Sequence, residues 1–374
     1  MRYCIIAGES SGDMYGADLI RQIKHIDKEA DFWACGGEAM QKAMGKPCAL
    51  YTTSIASMGL DFLQNCYKLW QWFMFCKKSL VAYQPDAILF IDFGGFNMRL
   101  AGFAKQNGWF IYYYIPPKIW AYRKPRIARI QNNIHQIYSI LPFEVACYQA
   151  HGYSSITYVG HPLVEIVENH FINDSFIAAN GLDQRPIIAL LPGSRIGEIK
   201  RILPVMVTQA VYFNTYQFVV AGLSCMPRTL YEKIVPPTVR IVYDQTYDLL
   251  AMSKAAIVTS GTATLETALW NVPQIVVYKT SWLTYAVYKR ILTLSHISLV
   301  NLLVNQAAVP ELIQDALTEN QLSKALTQLL IEEISAQQQS FYKQIRQLLG
   351  KKSAAVEVAR LMVADRMKQP PYET

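Results

Sequence analysis

Three charged side chains stand where an α/β sheet usually binds its ligands. Asp92 directly follows Ala87–Ile91, an unbroken apolar run that predicts a buried parallel strand. Arg195 and Glu266 follow two further apolar runs, each after a short turn. Ligands of open α/β sheets bind at the carboxyl ends of the strands. An isolated acid there can act as a general base, and an arginine there can bind a diphosphate.

Asp92 taken alone is equally well interpreted as a helix cap or a solvated turn residue. The double glycine Gly94-Gly95 close behind it leaves room for a bulky group, which favours a ligand-facing edge. His161 follows a shorter strand signal. Two interpretations of it stay open, a ligand-facing donor and a loop histidine bonded to backbone.

The segment 257–266 has the pattern of a strand, a tight turn and a helix. The turn, Ser260-Gly261-Thr262, leaves unpaired amide groups at the start of the helix, and such groups bind anions. Glu266 lies about one turn further in, where a carboxylate can reach the hydroxyls of a ribose whose diphosphate rests on the turn. The alternative is a capping box, which needs the glutamate three residues after the cap, and Glu266 is not three residues after Thr262 or Ser260.

The first loop, Gly8-Glu9-Ser10-Ser11-Gly12-Asp13, lies between a strand pattern and apolar residues at helical spacing. This order opens a doubly wound α/β sheet. The glycine spacing is not GxGxxG, so a dinucleotide site is not expected. Tight packing of the first helix on its strand explains the glycines equally well, but Glu9 and Asp13 are harder to explain by packing.

Length and pattern predict two domains. The chain has 374 residues, 52% of them apolar and 17% charged, as in a globular protein. The alternation of strands and helices begins again after residue 165. We therefore expect an N-terminal α/β domain at 1–165, a second at 166–348 and a helical tail at 349–374 that packs back on the first domain. The polar stretch 169–184 is interpreted as a connection.

Charge and cysteine content argue against several classes of protein. The net charge of +7 is modest and the basic residues form no stripe, so we expect anionic lipid or phosphorylated substrate and no nucleic acid. Seven cysteines without a CxxC pair fit reduced thiols. Scattered histidines and the absence of Asp-x-Asp argue against a metal. No window approaches the ~20 apolar residues of a membrane span, and the N-terminus is no signal peptide, so a cytoplasmic protein is expected.

Residues 62–78 are rich in aromatic side chains. One stripe of this segment, Phe62 to Cys76, has the helical spacing of an ordinary buried face. Trp70, Trp72 and Phe75 widen the apolar arc beyond what one sheet face covers, and lysines border it, as in a helix resting in a bilayer interface. We expect these three residues to contact a membrane.

Several short motifs are more specific in their order than any one of them is alone. In the first half they are the first loop, Ile91-Asp92 with Phe96-Asn97, Lys118-Ile119-Trp120-Ala121 and Leu141-Pro142-Phe143-Glu144. In the second half they are Leu191-Pro192-Gly193-Ser194-Arg195, Ser260 to Glu266 and Ser298-Leu299-Val300-Asn301-Leu302-Leu303. Together they resemble the lipid-A-disaccharide synthase family of glycosyltransferases over nearly the whole chain. The chain departs from many members at Gly95, Pro116, Tyr122 and Val300.

The resemblance implies an α/β protein of GT-B class, with two facing Rossmann-like domains and a cleft between them. It implies inverting transfer of 2,3-diacylglucosamine from UDP to 2,3-diacylglucosamine 1-phosphate (lipid X), which gives the β-1,6 disaccharide and UDP. Asp92 would be the base, and Arg195 would stabilise the departing UDP without a cofactor. Substrate-binding residues on the acceptor side would be Glu9, Ser11, Asp13 and Asn97. Those on the donor side would be Ser194, Ser260, Gly261, Thr262, Glu266, Asn301 and Glu311.

Acylated substrates imply a protein bound peripherally to the cytoplasmic face of the inner membrane, with a homodimer left open. Two other functions also remain open. A MurG-like transferase acting on a polyprenyl-linked acceptor would share Glu266 but is not expected to share the motifs at Lys118 and Leu141. A non-catalytic UDP-sugar-binding protein would keep Arg195 and Glu266 without needing an acid at position 92.

Overall fold

The computed structural model of the chain describes residues 1–50, 62–119, 125–282 and 296–368, together with Tyr285. The chain forms two compact units, Met1–Pro162 with Gly350–Thr374, and Leu163–Leu349. Among the residues singled out above, Trp120, Ala121 and Tyr122 lie outside the described residues, as do the side chains of Phe62 and Cys66.

The first unit is built on a seven-stranded parallel sheet with the order β3-β2-β1-β4-β5-β6-β7. The strands are β1 Arg2–Ala7, β2 Asp31–Gly36, β3 Ala49–Leu50, β4 Ala87–Ile91, β5 Phe110–Tyr114, β6 Gln136–Ser139 and β7 Ile156–Tyr158. The helices between them are α1 Ser10–Ile26, α2 Glu38–Met44, α3 Phe62–Tyr83, α4 Gly94–Gln106, α5 Pro125–Asn133 and α6 Pro142–Gln149. Strands β1, β4 and β5 are central, and β4 and β5 are buried along their whole length, which explains their unbroken apolar runs.

The second unit is built on a six-stranded parallel sheet with the order β10-β9-β8-β11-β12-β13. Its strands are β8 Ile187–Leu191, β9 Gln217–Gly222, β10 Arg240–Tyr243, β11 Ser253–Thr259, β12 Gln274–Tyr278 and β13 Glu311–Ile313. Helices α7 to α13 are Pro162–Glu168, Phe176–Ala179, Ile196–Val207, Gln209–Tyr212, Arg228–Glu232, Thr246–Ala251 and Thr262–Leu269. Helices α14 to α16 are Leu299–Val304, Glu319–Leu329 and Glu332–Leu349, with a 3₁₀ turn at Gln314–Ala316.

The last helix, α17 at Ala354–Lys368, belongs to the first unit and packs along α1. The hydroxyl of Tyr112 in β5 donates a short hydrogen bond to Asp365 of this helix. The guanidinium of Arg366 lies 3.8 Å from the ring centre of Phe110. These contacts join the end of the chain to the central strands of the first sheet.

The predicted α/β class with two Rossmann-like sheets is confirmed, and two details differ. The stretch 169–184 contains the short helix α8, whose Phe176 is fully buried against the second sheet. Edge strand β13 pairs in parallel with β12. Neither was predicted, because a four-residue helix and a three-residue strand are too short to show a period in the sequence.

Candidate active site

Asp92 lies at the carboxyl end of β4, as the sequence predicts, and the backbone turns sharply there. The φ of 46° at Asp92 and of 51° at Phe93 both lie in the left-handed region, which costs a non-glycine residue about 1–3 kcal/mol. The Asp92 amide donates to the carbonyl oxygen of Tyr114 in β5 at 3.1 Å. The turn therefore ends the strand while keeping it in register with its neighbour, and α4 begins at Gly94.

The Asp92 side chain is half-buried among charged neighbours. Burial raises the pKa of its carboxyl and the charge of Glu9 raises it further, whereas the charge of Lys118 lowers it. A raised pKa makes a carboxylate a better proton acceptor as long as the pH keeps it ionised. These surroundings fit a general base, and that role of Asp92 stays a prediction.

The two acids of the first loop have different surroundings. Glu9 is exposed at the N-terminus of α1. The carboxylate of Asp13 accepts hydrogen bonds from three backbone amides at the start of α2, those of Gly37, Ala39 and Met40, at 2.7, 3.0 and 3.0 Å. The expectation that Asp13 is hard to explain by packing is wrong, since it caps a helix that lies beyond the next strand.

Asn97 is fully buried, so its side chain is not exposed for the substrate contact that the sequence led us to expect. Its amide nitrogen donates to the carbonyl oxygens of Asp92 at 2.8 Å and Ile91 at 3.3 Å. Asn97 therefore supports the turn that presents Asp92. Ser11 is half-buried in the first turn of α1, and its contact with substrate stays a prediction.

Two polar residues after β6 and β7 are part of the protein interior. His161 is 3% exposed, and burial together with the charge of Lys118 lowers its pKa to about 3. A pKa of that value keeps its imidazole neutral near pH 7, and both interpretations of this residue stay open. Glu144 is also buried and accepts a short hydrogen bond from the Ser139 hydroxyl. It holds the turn from β6 into α6.

The turn between β11 and α13 has the geometry predicted for an anion site. Gly261 and Thr262 are exposed, and a side chain at Gly261 would meet no atom within 4 Å. Among the residues that the structure describes, no side chain caps the first turn of α13. The hydroxyl of Ser260 donates to the carbonyl oxygen of Ile297 at 3.0 Å, so Ser260 holds the segment before α14. Exposed amides at a helix start attract a phosphate.

Glu266 lies one turn into α13 and is held by an aromatic residue of another helix. The hydroxyl of Tyr247 in α12 donates to Glu266 Oε1 at 2.7 Å. Burial raises the pKa of Glu266 and the bond from Tyr247 lowers it. The Tyr247 ring in turn packs edge-on against His170, with centroids 5.3 Å apart. This bond is made to a side chain of α12, as expected if Glu266 is not part of a capping box.

Arg195 occupies the N-terminus of α9, directly after the loop that follows β8. Its side chain is 73% exposed and pairs with Glu198 at 3.1 Å. Gly193 has a φ of 97°, and a Cβ there would lie 2.6 Å from a carboxylate oxygen of Glu198. The loop therefore requires glycine at this position. Ser194 is exposed beside Arg195, so both can reach a ligand at the helix start.

Asn301 and Glu311, expected to line a donor pocket, bond backbone groups on either side of α14, and the contact of Glu311 with a donor stays a prediction. Asn301 is 1% exposed, and its amide group bonds both backbone groups of Val309 and one oxygen of Glu311. Glu311 also accepts from the amides of Ile297 and Ser298 at 3.0 and 2.9 Å. The predicted direct contact of Asn301 is corrected to a supporting role, because all its polar atoms have protein partners.

Helix α3 presents part of its aromatic surface to solvent. Tyr67 and Trp70 are 60% and 56% exposed and stack on each other. Phe75 is 44% exposed. Trp72 is half-buried, packs against the core of the first unit and stacks on Phe75. The prediction that Trp72 lies outside the core is therefore wrong, because the core extends further round the helix than its spacing indicated.

Sequence reasoning missed Tyr113 and Tyr247, whose hydroxyls bond Asp92 and Glu266. Tyr113 stands in an apolar strand and Tyr247 between polar residues, and at both positions only the phenol group signals a hydrogen bond. Within the described ranges, no three His, Cys, Asp or Glu side chains form a group able to hold a metal ion. Nor does any helix in that part of the chain have the length and hydropathy to cross a bilayer.

Comparison with known proteins gives one family. The family model described as lipid-A-disaccharide synthetase matches residues 3–363. The lipid-A-disaccharide synthase of Syntrophus aciditrophicus is 36% identical over 342 residues, covering 87% of this chain and 87% of the relative.

Two solved structures share the fold at low sequence identity. A co-structure of S. aureus MnaA with UDP has a TM-score of 0.67 and 13% identity, covering 100% of this chain and 99% of that one. The glycotransferase of kitacinnamycin has a TM-score of 0.64 and 12% identity, covering 97% of this chain and 98% of that one. The fold is of the GT-B class.

Proposed function

Since this chain belongs to the lipid-A-disaccharide synthase family and is a glycosyltransferase of lipid A disaccharide synthesis, we propose its substrates and its mechanism. The donor is UDP-2,3-diacylglucosamine and the acceptor is 2,3-diacylglucosamine 1-phosphate. The 6-hydroxyl of the acceptor attacks the anomeric carbon and gives up its proton. The bond from that carbon to UDP breaks, so the configuration inverts and a β-1,6 disaccharide forms.

The observation that carries this mechanism is the environment of Asp92. It is an acid on a hydrogen-bonded turn at the carboxyl end of a central strand, and its pKa is raised by burial and by Glu9. An inverting transfer needs one base on the attacking hydroxyl. Asp92 takes that proton.

Arg195 and the α13 amides stabilise the charge that develops on the departing UDP. A guanidinium at a helix N-terminus combines a fixed charge with the helix dipole, and both favour a diphosphate. Arg195 is sufficiently exposed to reach one. Glu266, oriented by Tyr247, bonds the ribose hydroxyls.

The direct test supplies the purified protein with the two proposed substrates. We expect equal amounts of UDP and disaccharide 1-phosphate, with the β configuration visible in the anomeric proton coupling. An α-linked product would contradict inversion, and release of UDP without disaccharide would contradict the acceptor.

The pH profile tests the charged neighbours of Asp92. The base must be ionised, so kcat/KM should fall as the pH drops through the Asp92 pKa, which lies above that of an ordinary aspartate. Glu9→Gln removes a negative neighbour and should move this acidic limb to lower pH. Lys118→Met removes a positive neighbour and should move it to higher pH. Kinetics measured from acidic to neutral pH give both shifts.

Asp18→Asn is the matched control for the pH profile. Asp18 is an acid further along α1 that pairs with exposed Arg21. Its replacement should therefore leave the acidic limb of the pH profile unchanged. Shifts of the Glu9 and Lys118 variants in the same direction would contradict the proposed electrostatics.

We also propose that the exposed aromatic surface of α3 contacts the membrane that holds the acylated substrates, on its cytoplasmic face. Inserting an exposed aromatic side chain contributes roughly 1.5–3 kcal/mol, and each lysine near anionic lipid about 1 kcal/mol. Tyr67, Trp70 and Phe75, with exposed Lys68 between the first two, supply such groups. Together, these contributions give reversible binding to the membrane.

The protein should co-sediment with anionic liposomes, and less so as salt rises. Tyr67→Ser with Trp70→Ser should release it, because these exposed side chains contribute little to the core. The pair Val211→Ser with Tyr212→Ser is the matched control, since these residues are 78% and 60% exposed in the second unit. Unchanged binding of the α3 variant would place the membrane contact elsewhere.

A further inference from the structure

The main-chain carbonyl of Asp92 accepts two side-chain hydrogen bonds. One comes from the hydroxyl of Tyr113 at 2.6 Å and the other from the amide of Asn97 at 2.8 Å. Both donor side chains are fully buried, Tyr113 in strand β5 and Asn97 in helix α4. Two elements that flank the strand end therefore hold the same oxygen atom.

The Asp92 turn needs such support because its backbone is strained. Asp92 and Phe93 are consecutive non-glycine residues with positive φ. Their strain is comparable to the net contribution of a few hydrogen bonds. Release of the carbonyl would let residue 92 relax toward an extended conformation, and its carboxylate would then point in another direction.

The second residue of the turn is already fixed by packing. The Phe93 ring lies so close to Gly8 that a Cβ there would come within 2.3 Å of it. The same ring stacks on Phe96, with centroids 5.2 Å apart. Rotation at Asp92 itself is therefore the movement that the hydrogen bonds to its carbonyl restrain.

We propose that Tyr113 is a positioning residue for glycosyl transfer. Its hydroxyl holds the Asp92 carbonyl and so keeps the carboxylate aimed at the attacking hydroxyl of the acceptor. The proposal rests on the role of Asp92 as the base. Tyr113 does not touch substrate, and it acts through the conformation of residue 92.

Tyr113→Phe removes this hydroxyl and keeps the ring. We expect kcat to fall roughly 10- to 100-fold, as for a misplaced catalytic group, with KM within about twofold. Tyr153→Phe is the matched control. Its buried hydroxyl donates to the carbonyl of Ile134 at 3.1 Å, before β6 and away from the carboxyl end of the sheet. It should lose similar stability and keep kcat within about twofold.

A second measurement needs no substrate. The side-chain carboxyl of Asp92 is titrated by NMR in ¹³C-aspartate-labelled protein, with Asp92→Asn to assign the signal. Because burial raises the pKa of this carboxyl, its release into solvent in Tyr113→Phe should lower the pKa, and Tyr153→Phe should not change it.

The two measurements separate the positioning role from the proposed function. An Asp92 titration that is the same in Tyr113→Phe as in the wild type overturns the positioning role, whatever the activity. So does an active wild type with equal kcat in the two phenylalanine variants. A wild type that forms no disaccharide refutes the proposed function, and the titration still decides the role of Tyr113.

Discussion

Replacing Asp92 with asparagine should lower turnover by about 10²–10⁴-fold, the usual contribution of a general base. Asparagine has the same shape and tolerates the left-handed conformation of this turn. The bonds from Tyr113 and Asn97 reach the backbone carbonyl and are unaffected by the change. The variant should therefore fold normally and bind UDP with wild-type affinity.

Asp86→Asn is the matched control for this prediction. Asp86 lies at the opposite end of β4, where its carboxylate accepts from the Arg2 amide at 2.7 Å. Its replacement removes the same charge from the same strand and should leave turnover within about twofold. Turnover of Asp92→Asn within about threefold of wild type would show that another group takes the proton.

Replacing Arg195 with alanine should weaken UDP binding about 10- to 100-fold, the range of a charge-assisted hydrogen bond. It should also lower kcat, because charge on the diphosphate grows as UDP departs. Isothermal calorimetry with UDP and steady-state kinetics measure the two effects. Arg185→Ala, at the opposite end of β8 where Arg185 pairs with Asp183, is the control and should change neither.

Glu266→Ala provides the contrast to the arginine variant. The ribose does not react, so the loss should appear mostly as a raised KM for the donor, with kcat preserved. A wild-type UDP affinity in both variants would contradict the donor site. A fall in kcat for Glu266→Ala equal to that for Arg195→Ala would contradict the division of roles between them.

The sequence predicted the fold and the location of Asp92 because both depend on local pattern. Ala87–Ile91 is apolar throughout, and only a strand covered on both faces needs such a run. A residue that follows such a strand lies at the carboxyl edge in any doubly wound sheet. The same logic places Arg195 and the Ser260–Thr262 turn. The motifs then indicated the family, which the family model and the relatives confirm.

The roles of several polar residues depend on partners that are distant in the chain. The Asp13 carboxylate bonds amides more than twenty residues further on, and Asn301 bonds both backbone groups of Val309 beyond the end of its own helix. Their residue types are the same for a cap, a loop support or a substrate contact. Only the packed position of the neighbouring element distinguishes these roles.

The sequence by itself determined two α/β sheets, the edge of each sheet that carries charged side chains, and the family. The tertiary structure alone decided which of those side chains remain exposed to a ligand. Asp92 and Arg195 keep exposed surface, whereas Asn97 is buried and supports the turn behind Asp92. The physical reason is that periodicity reports the average environment of an element. A hydrogen bond such as that from Tyr113 to Asp92 depends on an atomic distance between two strands, which a local pattern does not contain.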